Sequence, residues 1–517
     1  MKPQQLFLFF LLITGAITAS GQAGTLDKTF SSDGKLTTLV SSTKVAGNSV
    51  VIQTDGKILV AGNFKRTGSD PFNVNDFAVV RYNMDGTLDG SFGGGNGKVG
   101  IDFGTDEGPN PTIALLQDGK IIVAGYTAQD NDIEREYIAI ARLNVDGSPD
   151  LGFGSVGQTK IKIEGFYGSM AIQPDGKIVV GGYTLGSPFV LYRLNSNGTI
   201  DNSFGNNGEV MHYFGFFSEG PNDGVHAILI QPDGKVVSAG TVSTNSRENV
   251  ALTRHNSNGT IDASFGSNGQ VVTSIGSTGN AGGNAAVLQS DNKILVAGYY
   301  TPSDRSFAAV RYNQNGTLDN SFAGNGKVGI DFTYGSQANA LVLQKDGKIV
   351  LAGKAINHTG ADFALVRLTG TGGIDNGFGT AGKVTTDFGS TDVANGMALQ
   401  FDGKIVVAGS SGNFIAAARY SSGAVIAIAA PTPVSKTNHN SVYLYPNPAV
   451  TTIRVQGLNP FSATNLSITD VTGRILKKDI SAGADNYLLN IGHLIPGVYS
   501  LQVEENHQTQ SLKFIKK

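Results

Sequence analysis

Acidic side chains that follow no repeat gather at two places in the first third of the chain. They are Asp106, Glu107, Asp130, Asp132 and Glu134. Carboxylates at alternating positions can supply the oxygen ligands that Ca²⁺ prefers. If the two segments are neighbouring loops, the sequence predicts a weak Ca²⁺ site there. The alternative is that these are solvated acidic loops without a metal. The sequence indicates no other cofactor.

A second set of charged residues recurs at fixed spacing. An Arg is followed eight residues later by an Asp in six copies, from Arg81 and Asp89 to Arg367 and Asp375. Catalysis needs a unique constellation, whereas these pairs occur once per copy and would be spread around a ring. The spacing therefore indicates a repeated contact within each copy or matched turn anchors. We expect no catalytic residue among them.

Motifs for the common chemistries are missing from the sequence. The seven His are scattered without metal-ligand spacing, and the chain has no Cys. It has neither a phosphate-binding loop nor a Gly-x-Ser-x-Gly motif with a partner set. The formal net charge of −3 and the lack of a basic, aromatic patch argue against a nucleic-acid partner.

The charged residues are positioned by a repeated phrase, clearest at residues 173–182, Gln-Pro-Asp-Gly-Lys-Ile-Val-Val-Gly-Gly. Asp-Gly favours a hairpin turn, and the apolar run after it favours a strand buried on both faces. Seven copies at nearly one period predict a repeat protein. The Asp of the phrase lies at Asp55, Asp118, Asp175, Asp233, Asp291, Asp346 and Asp402.

Each copy contains four strand-like stretches, called a, b, c and d in chain order. The a–b hairpin implies antiparallel pairing, which predicts an all-β fold with four-stranded propeller blades. The chain opens with a d-like strand near residues 35–40, and its last copy ends without one. We therefore predict a seven-bladed β-propeller over residues 24–423, closed by its N-terminal strand so that no sheet edge is exposed.

The b–c and d–a connections vary in length, whereas the a–b and c–d turns are constant. In an up-and-down blade the variable connections emerge on one face of the disc, where binding is usually carried. The longest, residues 63–76 and 127–136, lie on adjacent blades beside Asp106 and Glu107. Neutral insertion is the alternative reading of these loops. The aromatic residues 213–217 form a second candidate contact surface.

The two ends of the chain have their own patterns. A basic start, the apolar residues 6–13 and a small-residue exit are typical of a secretory signal peptide over residues 1–22, cleaved between Thr18 and Ala23. A retained N-terminal anchor is the alternative. Residues 424–440 have the composition of a linker. Alternating stretches over residues 441–517 predict a small C-terminal β-sandwich. We expect no transmembrane segment and a monomer.

The repeat consensus resembles the bacterial delta-60 repeat family, whose members look like secreted β-propellers. It reads Gln-x-Asp-Gly-Lys-Ile-x-Val-Ala-Gly, followed by Phe-Ala-x-x-Arg-Tyr-Asn-x-x-Gly-Thr-Leu-Asp-x-Ser-Phe-Gly. The resemblance implies no defined activity. We expect a non-catalytic scaffold that binds an extracellular protein or glycan. The alternative is a propeller-type polysaccharide lyase or glycoside hydrolase with its site on the variable face.

The C-terminal residues resemble the sorting domain of the type IX (Por) secretion system. The resemblance implies contact with that machinery, passage through the outer membrane of a Gram-negative bacterium, removal of the domain, and release or attachment to the outer cell surface. An accessory β-sandwich without a sorting role is the alternative. From the residues themselves we expect the two glycines below to lie in turns. The matching residues are Tyr445, Pro446, Asn447, Pro448, Gly473, Gly497, Tyr499, Lys513, Lys516 and Lys517.

Overall fold

The computed structural model describes residues 22–40, 45–65, 75–129, 132–163, 165–184, 189–215, 223–244 and 247–423. In the C-terminal part it describes residues 443–445, 451–456, 463–470, 474–482, 486–492, 494–505 and 508–516. The chain divides into two compact units with a boundary near residue 426. Within the described ranges every regular element is a β-strand, and no helix suited to crossing a membrane occurs among them. The signal-peptide core and the linker lie outside these ranges and stay predictions.

The first unit contains seven four-stranded antiparallel sheets, which confirms the predicted seven-bladed β-propeller. The N-terminal strand β1 spans Lys35–Thr38. Blade 1 is β2–β5 (Val45–Ile52, Ile58–Lys65, Asn75–Tyr82, Lys98–Ile101), blade 2 is β6–β9 (Thr112–Leu115, Ile121–Gln129, Asp132–Leu143, Gln158–Ile163) and blade 3 is β10–β13 (Gly165–Ile172, Ile178–Thr184, Phe189–Leu194, Glu209–His212).

The remaining blades repeat the same order of strands a, b, c and d. Blade 4 is β14–β17 (Gly224–Ile230, Val236–Thr244, Arg247–His255, Gln270–Thr273), blade 5 is β18–β21 (Ala281–Leu288, Ile294–Tyr300, Ser306–Tyr312, Lys327–Ile330), blade 6 is β22–β25 (Ser336–Leu343, Ile349–Ile356, Ala361–Leu368, Lys383–Thr386) and blade 7 is β26–β28 (Asp392–Leu399, Ile405–Ser411, Phe414–Tyr420) with β1.

Blade 7 takes its strands from both ends of the repeat region. Its order is β1-β28-β27-β26, and Lys35 pairs with Ala418 in antiparallel register. This is the pairing expected between the N-terminal strand and the last c strand. Phe30 shares one apolar core cluster with Val45 of blade 1 and Val406 of blade 7. The first and last blades therefore pack against each other.

The Asp-Gly phrase forms the a–b turn as its chemistry predicts. Gly176 has a φ of 82°, a region open to glycine without steric penalty. In blade 5 Asn292 takes the same place with a φ of 62°, and Asn tolerates this conformation better than most residues. The Asp175 carboxylate accepts the backbone N–H of Lys177 at 3.1 Å, which closes the turn.

One Arg in strand c joins each blade to the next. In blade 5, Arg311 Nε donates to Asp319 Oδ2 at 2.7 Å, and its Nη1 donates to the Gly370 carbonyl of blade 6 at 2.5 Å. The guanidinium lies 4.7 Å from the centre of the Phe322 ring. Lys293, from the a–b turn, approaches the same carboxylate at 3.1 Å. The equivalent arginines are Arg81, Arg142, Arg193, Arg254, Arg367 and Arg419.

The eight-residue spacing between Arg and Asp is thus an ion pair within the blade. In blade 7 the partner of Arg419 is Asp27, which lies almost four hundred residues away in sequence. The same guanidinium donates to the Met84 carbonyl of blade 1. The series of contacts therefore passes from the seventh blade to the first.

The described residues of the second unit form seven strands in two sheets with one apolar core, as expected for a small β-sandwich. Its core includes Ile453, Leu466, Leu501 and Phe514. The sequence analysis missed β29 and β32. The sheet orders are β29-β30-β33 and β32-β31-β34-β35, with strands Tyr443–Tyr445, Thr452–Gln456, Ala463–Thr469, Ile475–Ala482, Asn486–Asn490, Gly497–Glu505 and Gln508–Lys516.

We expect Arg311→Ala to lower the free energy of unfolding by about 3–5 kcal/mol, because it leaves the buried Asp319 carboxylate without its main partner. Lys293→Ala is the matched control, since it removes the other, partly exposed cation from that carboxylate and should lower the free energy by at most about 1 kcal/mol. Denaturant unfolding of both variants measures the difference. Equal losses would contradict the assigned role of the guanidinium.

Candidate functional site

The repeated Asp residues have their charge held by fixed partners. The Lys120 ammonium and the Arg142 guanidinium lower the pKa of Asp150 to about 2. The pKa is lowered in the same way at Asp27, Asp89, Asp201, Asp262, Asp319 and Asp375, where salt bridges and hydrogen bonds outweigh the burial that acts to raise it. A carboxylate held ionised by two cations is a poor general base, so this geometry supports a structural role.

One non-repeated acidic cluster lies where blade 1 passes into blade 2. Asp76 is the second residue of β4, Asp102 directly follows β5, and Glu107 lies in the segment that leads to β6. A carboxylate oxygen from each lies within 4.8 Å of the other two. Glu107 is completely buried, and its Oε2 has no hydrogen-bond partner. This cluster is one candidate cation site.

The structure places the predicted metal residues differently from the sequence analysis. Of that set only Glu107 belongs to the cluster, while Asp106 Oδ1 accepts the backbone N–H of Asn75 at 2.8 Å. Asp130 and the side chains of Asp132 and Glu134 lie outside the described residues. The predicted loop over residues 127–136 is wrong for the most part: strands β7 and β8 run to residue 129 and start again at residue 132.

The same arrangement recurs where blade 6 passes into blade 7. Asp362 is the second residue of β24, Asp387 directly follows β25, and Asp392 is the first residue of β26. Their oxygens also lie within 4.8 Å of one another. Sequence reasoning missed this set because its three residues are separated in the sequence and each lies at or beside the end of a strand of a regular repeat. Asp362 is half-buried, Asp387 is exposed and Asp392 is buried, and no run of acidic residues marks them.

Burial governs the electrostatics of both clusters. Burial, followed by contact with the Asp76 carboxylate, raises the pKa of Glu107 to about 9. Burial likewise raises the pKa of Asp392. In each cluster, burial therefore disfavours the charged form of one carboxyl group, and a proton or a cation can relieve this.

The central channel is a cavity of about 570 Å³. It is lined by the a strands of all seven blades. Several inner side chains link one blade to the next: Asn339 Nδ2 donates to the Ala394 carbonyl at 2.9 Å, and Asn395 Nδ2 to the Gly47 carbonyl at 2.9 Å. The channel wall therefore carries a ring of side-chain amides and is not purely apolar.

In blade 4, His226 occupies the position that Asn339 has in blade 6. Its Nδ1 lies 2.8 Å from the Gly283 carbonyl, which can only accept, so Nδ1 carries the proton. Burial lowers the pKa of His226, so the ring is neutral and its Nε2 can accept a hydrogen bond. This residue lines the channel in blade 4.

Blades 4 to 6 add a polar chain at the channel mouth, on the face of the b–c and d–a connections. Tyr299 donates its hydroxyl to Glu248 Oε2 at 2.6 Å. The Arg305 guanidinium lies 4.0 Å from the centre of the Tyr299 ring, and its Nη1 donates to Gln337 Oε1 at 2.9 Å. Gln337 Nε2 in turn donates to Asn339 Oδ1 at 2.8 Å.

This mouth can offer both hydrogen-bond donors and acceptors to a ligand. Burial, the hydrogen bond to Glu248 and its charge raise the pKa of Tyr299, so the phenol stays protonated. Sequence reasoning missed Tyr299, Arg305 and Gln337, since they lie on two blades and meet only in the folded ring. The available signal was that blade 5 has Arg305 where blade 1 has Asn75 and blade 6 has Ala361.

The predicted aromatic contact surface is only partly described. Tyr213 is 64% exposed, whereas Phe214 is buried against Phe189 with ring centres 5.0 Å apart. Phe216 and Phe217 lie outside the described residues, so that surface stays a prediction.

Among the sorting residues, Tyr499 is buried, stacks on Phe514 and donates its hydroxyl to the Ile495 carbonyl at 2.7 Å. The prediction that Gly497 lies in a turn is wrong: it is the first residue of β34 and pairs with Lys516, which is buried. For Tyr445 and Lys513 the structure describes only the backbone, which lies within strands. Outside the described residues lie Pro446, Asn447, Pro448, Gly473 and Lys517.

Two family models match the chain. Six segments match the domain of unknown function DUF5122, described as a β-propeller, at residues 53–92, 116–153, 173–204, 231–265, 289–322 and 344–378. Residues 443–517 match the secretion system C-terminal sorting domain. The six segments fall in blades 1 to 6. No curated protein matches the chain.

Several solved structures are similar to this chain over most of their own length. A catalytically inactive virginiamycin B lyase from Staphylococcus aureus with quinupristin is 11% identical, with 74% of this chain and 98% of that chain covered and a TM-score of 0.43. A PL25 ulvan lyase bound to its saccharide is 12% identical, with 75% and 96% covered and a TM-score of 0.43. A protein of unknown function from Dyadobacter fermentans is 11% identical, with 75% and 99% covered and a TM-score of 0.40. Similarities this weak transfer no chemistry to this chain.

We expect the stability of the propeller to fall steeply as the pH drops from about 4 towards 2. Asp150 has a folded pKa of about 2, below the usual value of about 3.9. Its ionised form therefore stabilises the fold above that value, and the stabilisation is lost as protons bind at lower pH. Calorimetry across this range measures the change in Tm.

Asp150→Asn should unfold at a lower Tm near neutral pH but lose less further Tm between pH 4 and 2, because it has no carboxylate to protonate. Asp118→Asn, a change at an exposed turn carboxylate, is the matched control and should keep the wild-type profile. A flat wild-type profile would contradict the role of these carboxylates.

Proposed function

We propose that this protein, which carries DUF5122 β-propeller repeats and a secretion system C-terminal sorting domain, is a scaffold that binds an extracellular glycan or protein without turning it over. The sorting domain marks the chain as a secreted or cell-surface protein that contacts the type IX secretion machinery. The propeller is therefore the part that acts outside the cell.

The observation that supports binding is the asymmetric mouth of the central channel. On the opposite face the same Arg–Asp pair recurs in all seven blades. On the b–c and d–a face, Arg305, Gln337 and His226 break that regularity around one cavity. A cavity with a few convergent polar groups is the default place for a ligand.

The chemistry of this mouth favours a glycan over an apolar ligand. Sugar hydroxyls both donate and accept hydrogen bonds, and the mouth presents donors on Arg305 and an acceptor on His226 Nε2 within one lining. The guanidinium lies over the Tyr299 ring and donates to Gln337, so its position is set before a ligand arrives. Such pre-organisation reduces the entropy lost on binding. An acidic protein segment is the other ligand that an oriented Arg would suit.

A lyase or hydrolase is the alternative function. It needs an acid and a base positioned on one substrate. Tyr299 is held protonated by burial and by Glu248, which makes it a poor base. His226 donates through Nδ1 to the backbone of the next blade, so only its Nε2 could act as a base. These features favour binding without turnover.

We expect Arg305→Ala to weaken retention of the purified protein on a glycan array or a surface-polymer column by at least about tenfold, with the fold preserved. The loss follows from removal of an oriented charged donor, since a charge-assisted hydrogen bond contributes about 1.5–3 kcal/mol. Arg247→Ala is the matched control: it removes an exposed Arg from the same face that does not line the channel.

The same samples should release no new reducing ends or unsaturated sugars. Turnover abolished by His226→Ala would reverse the proposal in favour of the enzyme. Equal retention of both Arg variants on every polymer would place recognition elsewhere on the propeller.

We expect deletion of residues 441–517 to leave the propeller in the periplasm, because the sorting domain is the part that the type IX machinery reads. The signal sequence stays intact in this variant, so arrival in the periplasm serves as the control for expression and folding. Cell fractionation measures the distribution. Normal yield at the cell surface would show that the tail is not needed for export.

A further inference from the structure

We propose that the propeller binds two Ca²⁺ ions, one at each acidic cluster where a d strand passes to the next blade. The blade 6 site is formed by Asp362, Asp387 and Asp392. The blade 1 site is formed by Asp76, Asp102 and Glu107. The proposal is independent of the channel mouth and of the polymer that binds there.

The distances within the blade 6 cluster suit one ion. Ca²⁺ binds oxygens at about 2.3–2.6 Å, so ligands on opposite sides of the ion lie about 5 Å apart. One oxygen each from Asp362, Asp387 and Asp392 lies within 4.8 Å of the others. All three can therefore contact a single ion, with backbone oxygens and water available for the remaining positions.

One residue of this cluster has a buried oxygen without a hydrogen-bond partner. Asp392 is completely buried, and its Oδ2 accepts the backbone N–H of Phe388 at 2.7 Å. Its Oδ1 has no hydrogen-bond partner. A buried carboxylate oxygen left in this state is destabilising unless a cation or a proton approaches it.

No side-chain cation of the described residues neutralises this cluster. None of its three carboxylates forms a salt bridge there. The nearest ammonium contact is Lys35, which donates to the backbone carbonyl of Asp387 rather than to its carboxylate. Asp362 Oδ2 accepts from the Asn357 amide, which carries no charge. A divalent cation would supply the missing positive charge.

The blade 1 cluster repeats the arrangement with Glu in place of Asp. Glu107 Oε1 accepts the Phe103 N–H at 3.2 Å, as Asp392 accepts that of Phe388. Glu107 Oε2 is the buried oxygen without a partner. The presence of this geometry at two of the blade junctions argues for a shared ligand.

Other blades show that the fold does not need carboxylates at this junction. In blade 5 the equivalent positions are Ser306, Asp331 and Ser336, and the Ser336 hydroxyl accepts the Phe307 N–H at 3.2 Å. In blade 4 the Ser274 hydroxyl donates to Asn249 Oδ1 at 2.7 Å. Neutral side chains thus fill two of these positions in blade 5, and Asn249 and Ser274 fill two of them in blade 4. The blade fold therefore does not itself require the full set of carboxylates found in blades 1 and 6.

Oxygen-only ligands with three negative charges favour a hard divalent cation. Calcium sites of extracellular modules bind with Kd of about 10⁻⁴–10⁻³ M, in keeping with a protein exported from the cell. An ion in these positions would tie the end of one blade to the start of the next.

The test uses the full chain after treatment with a chelator. Titration calorimetry with CaCl₂ should show two equivalents of bound Ca²⁺, and Ca²⁺ should raise the Tm. Asp387→Asn and Glu107→Gln should each lose one equivalent. Asp331→Asn is the matched control, because it makes the same change in blade 5, where the neighbours are serines, and should keep both.

Glu107→Gln also separates metal binding from simple misfolding. Gln keeps the size of the side chain and removes only the ionisable carboxyl group, so the metal-free variant should be at least as stable as the metal-free wild type while losing part of the Ca²⁺-induced rise in Tm. No uptake at millimolar Ca²⁺ would overturn the proposal. So would an equal loss in Asp331→Asn, and an equal response to Mg²⁺ would overturn the assignment to Ca²⁺.

Discussion

The strand c guanidinium is the interaction on which the propeller depends. Each one contacts a carboxylate of its own blade, a carbonyl of the next blade and an aromatic ring, as Arg311 does with Asp319, Gly370 and Phe322. A planar fork with five donors can serve these partners at once, which a Lys ammonium cannot do with the same geometry. Secondary structure alone would give separate sheets. This residue couples turn geometry, blade packing and blade order in one buried contact.

Because of these Arg contacts, the two faces of the disc differ in how freely their residues can vary. The a–b and c–d turns must keep Asp, Lys, Arg and Phe in register, so they leave little freedom for other chemistry. In the described parts of the b–c and d–a connections, no such contact is common to all blades. One junction can hold Ser336 and another Asp392 while the strands on either side keep their register. Local variation on this face is therefore compatible with a stable ring, and both candidate sites lie there.

The sequence was sufficient for features that repeat locally. Blade count, the positive φ of Gly176 and the pairing of Arg311 with Asp319 follow from spacings within one period. It was insufficient where three segments meet, as with Asp76, Asp102 and Glu107, because only blade packing brings them together. The start of β8, residues 132–136, was mistaken for a loop. A hairpin that extends beyond its sheet can be polar on both faces, so its sequence lacks the alternation of apolar and polar residues that indicates a strand.

Comparison of equivalent positions explains how a symmetric frame acquires a specific site. Seven residues before each hairpin Asp, four blades have Asn, and three of these, including Asn339, donate to the backbone of the next blade. His226 keeps that contact through Nδ1, lines the channel and has a second ring nitrogen that Asn lacks. Gly168 and Pro111 have no side-chain donor at all. The propeller therefore tolerates both the absence of a side-chain donor and a change of residue type at this position. A residue that keeps the hydrogen bond to the next blade, as His226 does, can add a new functional group at little cost in stability.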